Sequence, residues 1–101
     1  MNLADRLKGL LGLSRRAGKL LSGEFASERS IKAGKAKLCI LATDASENTK
    51  KKFGDICRSG HVPCMEAGLT KSELGHAAGC GDRTSAVIED EGFAESMIKL
   101  I

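Results

Sequence analysis

Five consecutive apolar residues, Leu38-Cys39-Ile40-Leu41-Ala42, constrain this chain more than any other stretch. The run has strand length and lacks the polar alternation of a strand with one wet face. A strand of that kind is covered on both sides, so helices must lie above and below it. The flanking sequence supplies them.

Residues 2–17 carry Leu3, Leu7, Leu10 and Leu11 at helical spacing, with Asn2 placed to cap and Gly18 to stop the helix. Lys19-Leu20-Leu21-Ser22 is then a short strand, and a helix is expected over 24–33 with Gly34 behind it. Asp44-Ala45-Ser46-Glu47 has capping-box spacing, so a third helix should start there, run to Arg58 and close at Gly60. His61-Val62-Pro63-Cys64-Met65 reads as a strand with Pro63 near its start or on an edge. A second capping box, Thr70-Lys71-Ser72-Glu73, opens a short helix through Ala78. Ser85-Ala86-Val87-Ile88 gives the fourth strand, and Asp90 caps a last helix whose Phe93, Met97, Ile98 and Ile101 share a face. The order α-β-α-β-α-β-α-β-α with short connections predicts an α/β chain, its sheet sandwiched between helix layers, in one domain spanning 1–101.

Charge is the first functional signal. Residues 1–58 hold 13 Lys and Arg against 6 Asp and Glu, whereas residues 59–101 hold 3 against 7. A basic half on a small domain is the footprint of a polyanion binder. The N-terminal residues lack a basic segment followed by an apolar run, and no stretch approaches the ~20 apolar residues of a membrane span. A cytoplasmic protein with no membrane partner is expected. Under that expectation Cys39, Cys57, Cys64 and Cys80 stay free thiols.

Several chemistries are excluded on spacing. Between Gly12 and Gly18 there are five residues where a phosphate-binding P-loop needs four, and Leu20 stands where a magnesium-binding hydroxyl is required. Cys57-x3-His61-x2-Cys64 and His76-x3-Cys80 lack paired zinc knuckles and fall in different elements, so no metal or other cofactor is expected. No nucleophile has an oriented base, so no enzyme and no small-molecule substrate is expected. With three aromatics and no Trp or Tyr, a sheet face that stacks bases is excluded as well.

Phosphate binding fits better. Lys19, Arg29, Lys32, Lys35 and Lys37 surround one strand–helix–strand unit, and Ser22-Gly23-Glu24 turns the chain sharply into the helix. The free N–H groups at that helix start would face an approaching anion.

The same residues carry a likeness. Gly18-Lys19-x3-Gly23, Arg29-x-Ile31-x2-Gly34-Lys35-Ala36-Lys37-Leu38-x-Ile40-Leu41-Ala42-x-Asp44, Val62-Pro63 and Leu74-Gly75-x-Ala77-x-Gly79 resemble the kink-turn-binding ribosomal-protein family of archaeal and eukaryotic large subunits. Leu13-Ser14-Arg15-Arg16-Ala17-Gly18-Lys19 and residues 44–52 resemble its bacterial YlxQ-like branch. The resemblance covers nearly the whole chain. It implies a three-layer α/β/α sandwich with a mixed four-stranded sheet and a ribosome-associated protein, monomeric when free, that binds structured RNA, ribosomal in kind. It further implies contacts through the helix after Gly23, with Glu24 and Phe25 at its head, and through the loop before Leu74-Gly75. Lys19, Arg29 and Lys32 would hold phosphates, Gly23 would permit close approach, and Lys71 would lie by the second loop. Kink-turn binders of this family place Asn-Glu or Lys-Gln where this chain has Phe25-Ala26. Phe and Ala cannot make the hydrogen bonds that those pairs make to sheared G·A bases. The alternative is a protein-interaction adaptor that keeps the fold.

Overall fold

The computed structural model describes residues 2–101. Its elements are α1 (Leu3–Arg16), β1 (Leu20–Ser22), α2 (Glu24–Lys32), β2 (Leu38–Leu41), α3 (Glu47–Gly60), β3 (Cys64–Glu66), α4 (Lys71–Ala77), β4 (Ser85–Ile88) and α5 (Glu91–Leu100). The strands form one mixed sheet in the order β1-β4-β2-β3. β4 runs antiparallel to both neighbours, pairing Leu20 with Ile88 on one side and Leu38 with Ile88 on the other, while β2 and β3 are parallel. The result is the three-layer α/β/α sandwich with a mixed four-stranded sheet.

Both central strands, β2 and β4, are buried at every position. Their alternate residues feed two separate cores. Leu38, Ile40, Ala86 and Ile88 face α1, α4 and α5, where Leu7, Leu11, Leu74, Ala94 and Met97 close the layer. Cys39, Leu41 and Val87 face α2 and α3, meeting Ile31, Phe53 and Cys57. The unbroken apolar run is therefore explained by a helix layer on each side.

Local caps follow the sequence at three helices and depart at one. The Asn2 side chain accepts from Asp5 N, Thr70 and Glu73 close a full capping box, and Asp90 accepts from Phe93 N. Helix α3 is capped two residues later than its spacing suggested: Ser46 accepts from Thr49 N. Asp44 serves a tertiary contact instead, accepting the backbone N–H of Lys71 at 2.8 Å. At its other end α3 continues through Gly60 and stops at His61, which takes the left-handed conformation at φ 57°. That turn leaves residues 61–63 outside the third strand, which begins only at Cys64.

Candidate functional site

Sheet topology gathers one end of the molecule. β1, β2 and β3 all run toward the same rim, so α2, α3 and α4 all start there. Open α/β sheets place ligands at such strand ends. Helices α3 and α4 fill their first turns with their own hydroxyls, Ser46 and Thr70. Helix α2 does not. Its N-cap is Gly23, which has no side chain to offer and sits at φ 95°, ψ 155°. The Gly23 N–H is spent on the Ser85 carbonyl at 2.9 Å, and its carbonyl accepts the first helical bond, from Ser27 N. The N–H groups of the first turn beyond it have no partner within their helix. They point outward at the positive end of the α2 dipole.

Strand order decides what stands beside that helix start. β4 adjoins β1, so the segment leading into β4 is the neighbour of Gly23. Arg83 Nε donates to Ser22 Oγ at 3.3 Å, and the same side chain passes 3.7 Å from where a Cβ on Gly23 would stand. Thr84 Oγ1 donates to a Glu24 carboxylate oxygen at 3.4 Å. Cys80 Sγ lies 3.7 Å from Ser22 Oγ. The Arg15 guanidinium, from the last turn of α1, covers Gly79 so closely that a Cβ there would fall 2.8 Å from it. Ser22, Glu24, Arg83 and Thr84 border an open cleft of about 460 Å3 between residues 22–26 and 82–84. Phe25 stands on its edge, 81% exposed. On the far side of Phe25 lies a second depression of about 350 Å3, reached by Arg29 and Lys35.

The residues singled out from the sequence divide. Gly23, Glu24 and Phe25 form the head of α2, and Arg29 follows one turn later on the flank of Phe25. Lys19 stands at the opposite end of β1, where its carbonyl accepts from Glu89 N. The three residues of β1 put it roughly 10 Å from that rim. Lys32 is held by Glu28 at 2.6 Å, and Lys52 reaches the same carboxylate at 3.0 Å. Those two ammonium groups lower the Glu28 pKa. Lys71 begins α4, and its carbonyl accepts the Arg83 N–H at 3.0 Å. The loop before Leu74-Gly75 belongs to the β3 end of the rim, bonded to Thr43 through Leu69. The loop after α4 also meets the head of α2, through Arg83 and Thr84. Sequence reasoning missed Arg83 as a site residue. Its signal was a lone basic residue in the glycine-rich stretch Gly79-Cys80-Gly81-Asp82-Arg83.

This arrangement offers the Arg83 guanidinium, with Arg29 on the far side of Phe25, unfilled amide donors and one exposed ring. It suits an anionic, flat-faced ligand. All four cysteines are free. Cys57 and Cys64 do come together, but with Cys39 and not with His61, and their sulfurs all lie within 4.8 Å of one another. Hydrogen bonds from Cys39 and then Cys57 lower the Cys64 thiol pKa, while hydrogen bonds with Cys57 and then Cys64, with burial behind them, raise that of Cys39.

With this geometry in hand, three comparisons are informative. Residues 5–98 match the model of the ribosomal protein L7Ae/L30e/S12e/Gadd45 family. The RNA-binding protein YlxQ of Enterococcus faecium is 40% identical over 103 residues, covering 100% of this chain and 98% of that protein. Its Bacillus subtilis (strain 168) counterpart, also an RNA-binding protein YlxQ, is 39% identical over 92 residues, with 91% of each covered. Among solved structures, a protein of unknown function from Bacillus halodurans superposes with a TM-score of 0.87 at 36% identity, covering 93% of this chain and 94% of that one. The Giardia lamblia 15.5kD RNA binding protein superposes at 0.77 over 98% of this chain and 90% of its own, with 21% identity, which speaks to the fold.

Proposed function

This chain belongs to the ribosomal protein L7Ae/L30e/S12e/Gadd45 family, and from that premise we propose that it is a non-enzymatic, cytoplasmic RNA-binding protein that grips structured, ribosomal RNA. One observation carries the reading: the uncapped head of α2, flanked by Arg83 and topped by exposed Phe25. The two relatives near 40% identity, both called RNA-binding proteins, support it. No described helix is long and apolar enough to cross a membrane.

The physics of the interface follows from its parts. A phosphate at the start of α2 would satisfy N–H groups that no hydroxyl reaches and would sit at about half a unit of positive charge. Arg83 adds charge-assisted hydrogen bonding suited to phosphate oxygens. Phe25 presents a ring to an unstacked base, a contact worth about 1–3 kcal/mol. Gly23 lets the RNA backbone come close, because a side chain there would be strained at its φ of 95°. Phe25 and Ala26 have no polar groups with which to read sheared G·A pairs, so the proposed recognition favours folded RNA with a splayed base over kink-turns as such.

Binding of ribosomal RNA fragments across a salt series tests the proposal. Affinity should fall steeply with salt, each phosphate contact adding about 0.7–0.9 to the log–log slope. Undetectable binding at low salt would refute it and leave the protein-interaction adaptor as the better account.

A further inference from the structure

Three of the four cysteines converge, and they do so away from the RNA rim. Cys39 lies in β2, Cys57 near the end of α3, and Cys64 at the start of β3 directly across the parallel ladder from Cys39. Cys39 and Cys57 are buried and Cys64 is half-buried. We propose that Cys39, Cys57 and Cys64 form a three-sulfur site for one thiophilic d10 cation, of the Zn2+ or Cu+ class.

The geometry is close to what such an ion needs. Zn–S bonds of about 2.3 Å set tetrahedral thiolate sulfurs about 3.8 Å apart. Sulfurs already within 4.8 Å reach that spacing by small χ1 adjustments of three short side chains. Thiolate donors select Zn2+ and Cu+ over hard ions, and no carboxylate or imidazole belongs to the cluster. The walls are apolar, with Ile31, Phe53 and Val87 buried around Cys39 and Cys57, and Val62 packed beside them. Such walls give calcium or magnesium none of the oxygen ligands they require. On binding, each coordinating thiol gives its proton to solvent, and the ion balances the negative charge that would otherwise be costly among apolar groups. Cys64, half-buried at the start of edge strand β3, is the most exposed of the three and the ion's point of entry. With three protein ligands, Zn2+ would keep its fourth position open toward that edge, and Cu+ would be complete as a trigonal site.

Sequence spacing hid the site. The paired-knuckle pattern is absent because the ligands come from a strand interior, a helix and a second strand.

Reduced full-length protein, handled without oxygen, should be titrated separately with Zn2+ and with Cu+ against a competing chelator. One ion per chain is expected from at least one of the two, with thiolate-to-metal absorption, a higher melting temperature and slowed alkylation of Cys64. Cys64→Ser should abolish stoichiometric binding, and Cys80→Ser, outside the cluster, should leave it intact. Alkylation protection needs no substitution, so the test stands even if a variant misfolds. Retention of Zn2+ alone assigns the four-coordinate form, and Cu+ alone the trigonal one. Binding of neither ion, or binding that survives Cys64→Ser and vanishes in Cys80→Ser, overturns the proposal.

Discussion

Arg83 Nε donates to the hydroxyl of Ser22 at 3.3 Å across 61 residues of sequence, fastening the segment before β4 to the start of α2. The contact also aims a guanidinium group along the cleft. Arg83→Ala should weaken binding of every RNA ligand by a similar factor, because phosphate contacts position without specifying. It should also lower the salt slope by about 0.7–0.9. Lys19→Ala, at the other end of β1, should change the slope much less. A titration series with both variants checks the order; equal losses would move the interface away from the rim.

Phe25 is an exposed ring at a helix start, where a core role is excluded. Phe25→Ala should cost RNA affinity about 1–3 kcal/mol while leaving the melting temperature nearly unchanged. The double change Phe25→Asn with Ala26→Glu should raise preference for a kink-turn over a matched duplex by about 1–3 kcal/mol. Competition binding with the two RNAs measures both effects. No gain in preference would show that more than this residue pair separates the chain from kink-turn readers.

Gly75 and Gly9 make a matched pair of glycine tests. A Cβ on Gly75 would stand 1.9 Å from the Gly81 carbonyl oxygen, so α4 or the following loop must move. Gly75→Ala should destabilise the fold by about 1–3 kcal/mol. At about 4–8 °C per kcal/mol for a domain of this size, the loss is easily seen by thermal melting. Gly9 faces open space on α1. Gly9→Ala should stabilise by up to about 1 kcal/mol through helix propensity alone.

The Glu73 carboxyl is held down to about 2 from an ordinary value of 4.5, first by the Thr70 backbone N–H and then by the Lys8 ammonium. Its folded value is depressed, so its contribution is complete above pH 4.5 and fades as pH falls toward 2. Melting temperature measured across that window should drop less in Glu73→Gln than in the parent, because the glutamine has no proton to gain. An identical acid profile in the two proteins would mean that other carboxylates govern the decline.

Sequence patterns revealed the elements well because their causes are local. The Thr70 box, the Asn2 and Asp90 caps and the unbroken Leu38–Ala42 run each depend on residues a few positions apart. The site was harder to read because its causes are not local. Insertion of β4 between β1 and β2 is what puts Arg83 beside Gly23, and no spacing rule contains that event. Lys19 looked close to Gly23 by counting residues, yet the two ends of a strand belong to opposite rims. Asp44 had cap spacing but bonded a distant backbone N–H, leaving the cap to Ser46. Cys39 met Cys64 by the register of β2 with β3, and Cys57 joined them from α3 packed on that face.

The sheet's outermost members, β1 and β3, are three residues each, and Pro63 removes a donor just before β3 begins. A foreign strand arriving at either edge finds too few free backbone groups to extend the ladder. Crowded unfolded neighbours therefore have little to template on. The wholly buried strands, β2 and β4, sit where only the native partners reach them, so protection against amyloid-like growth comes from strand order as well as from surface charge.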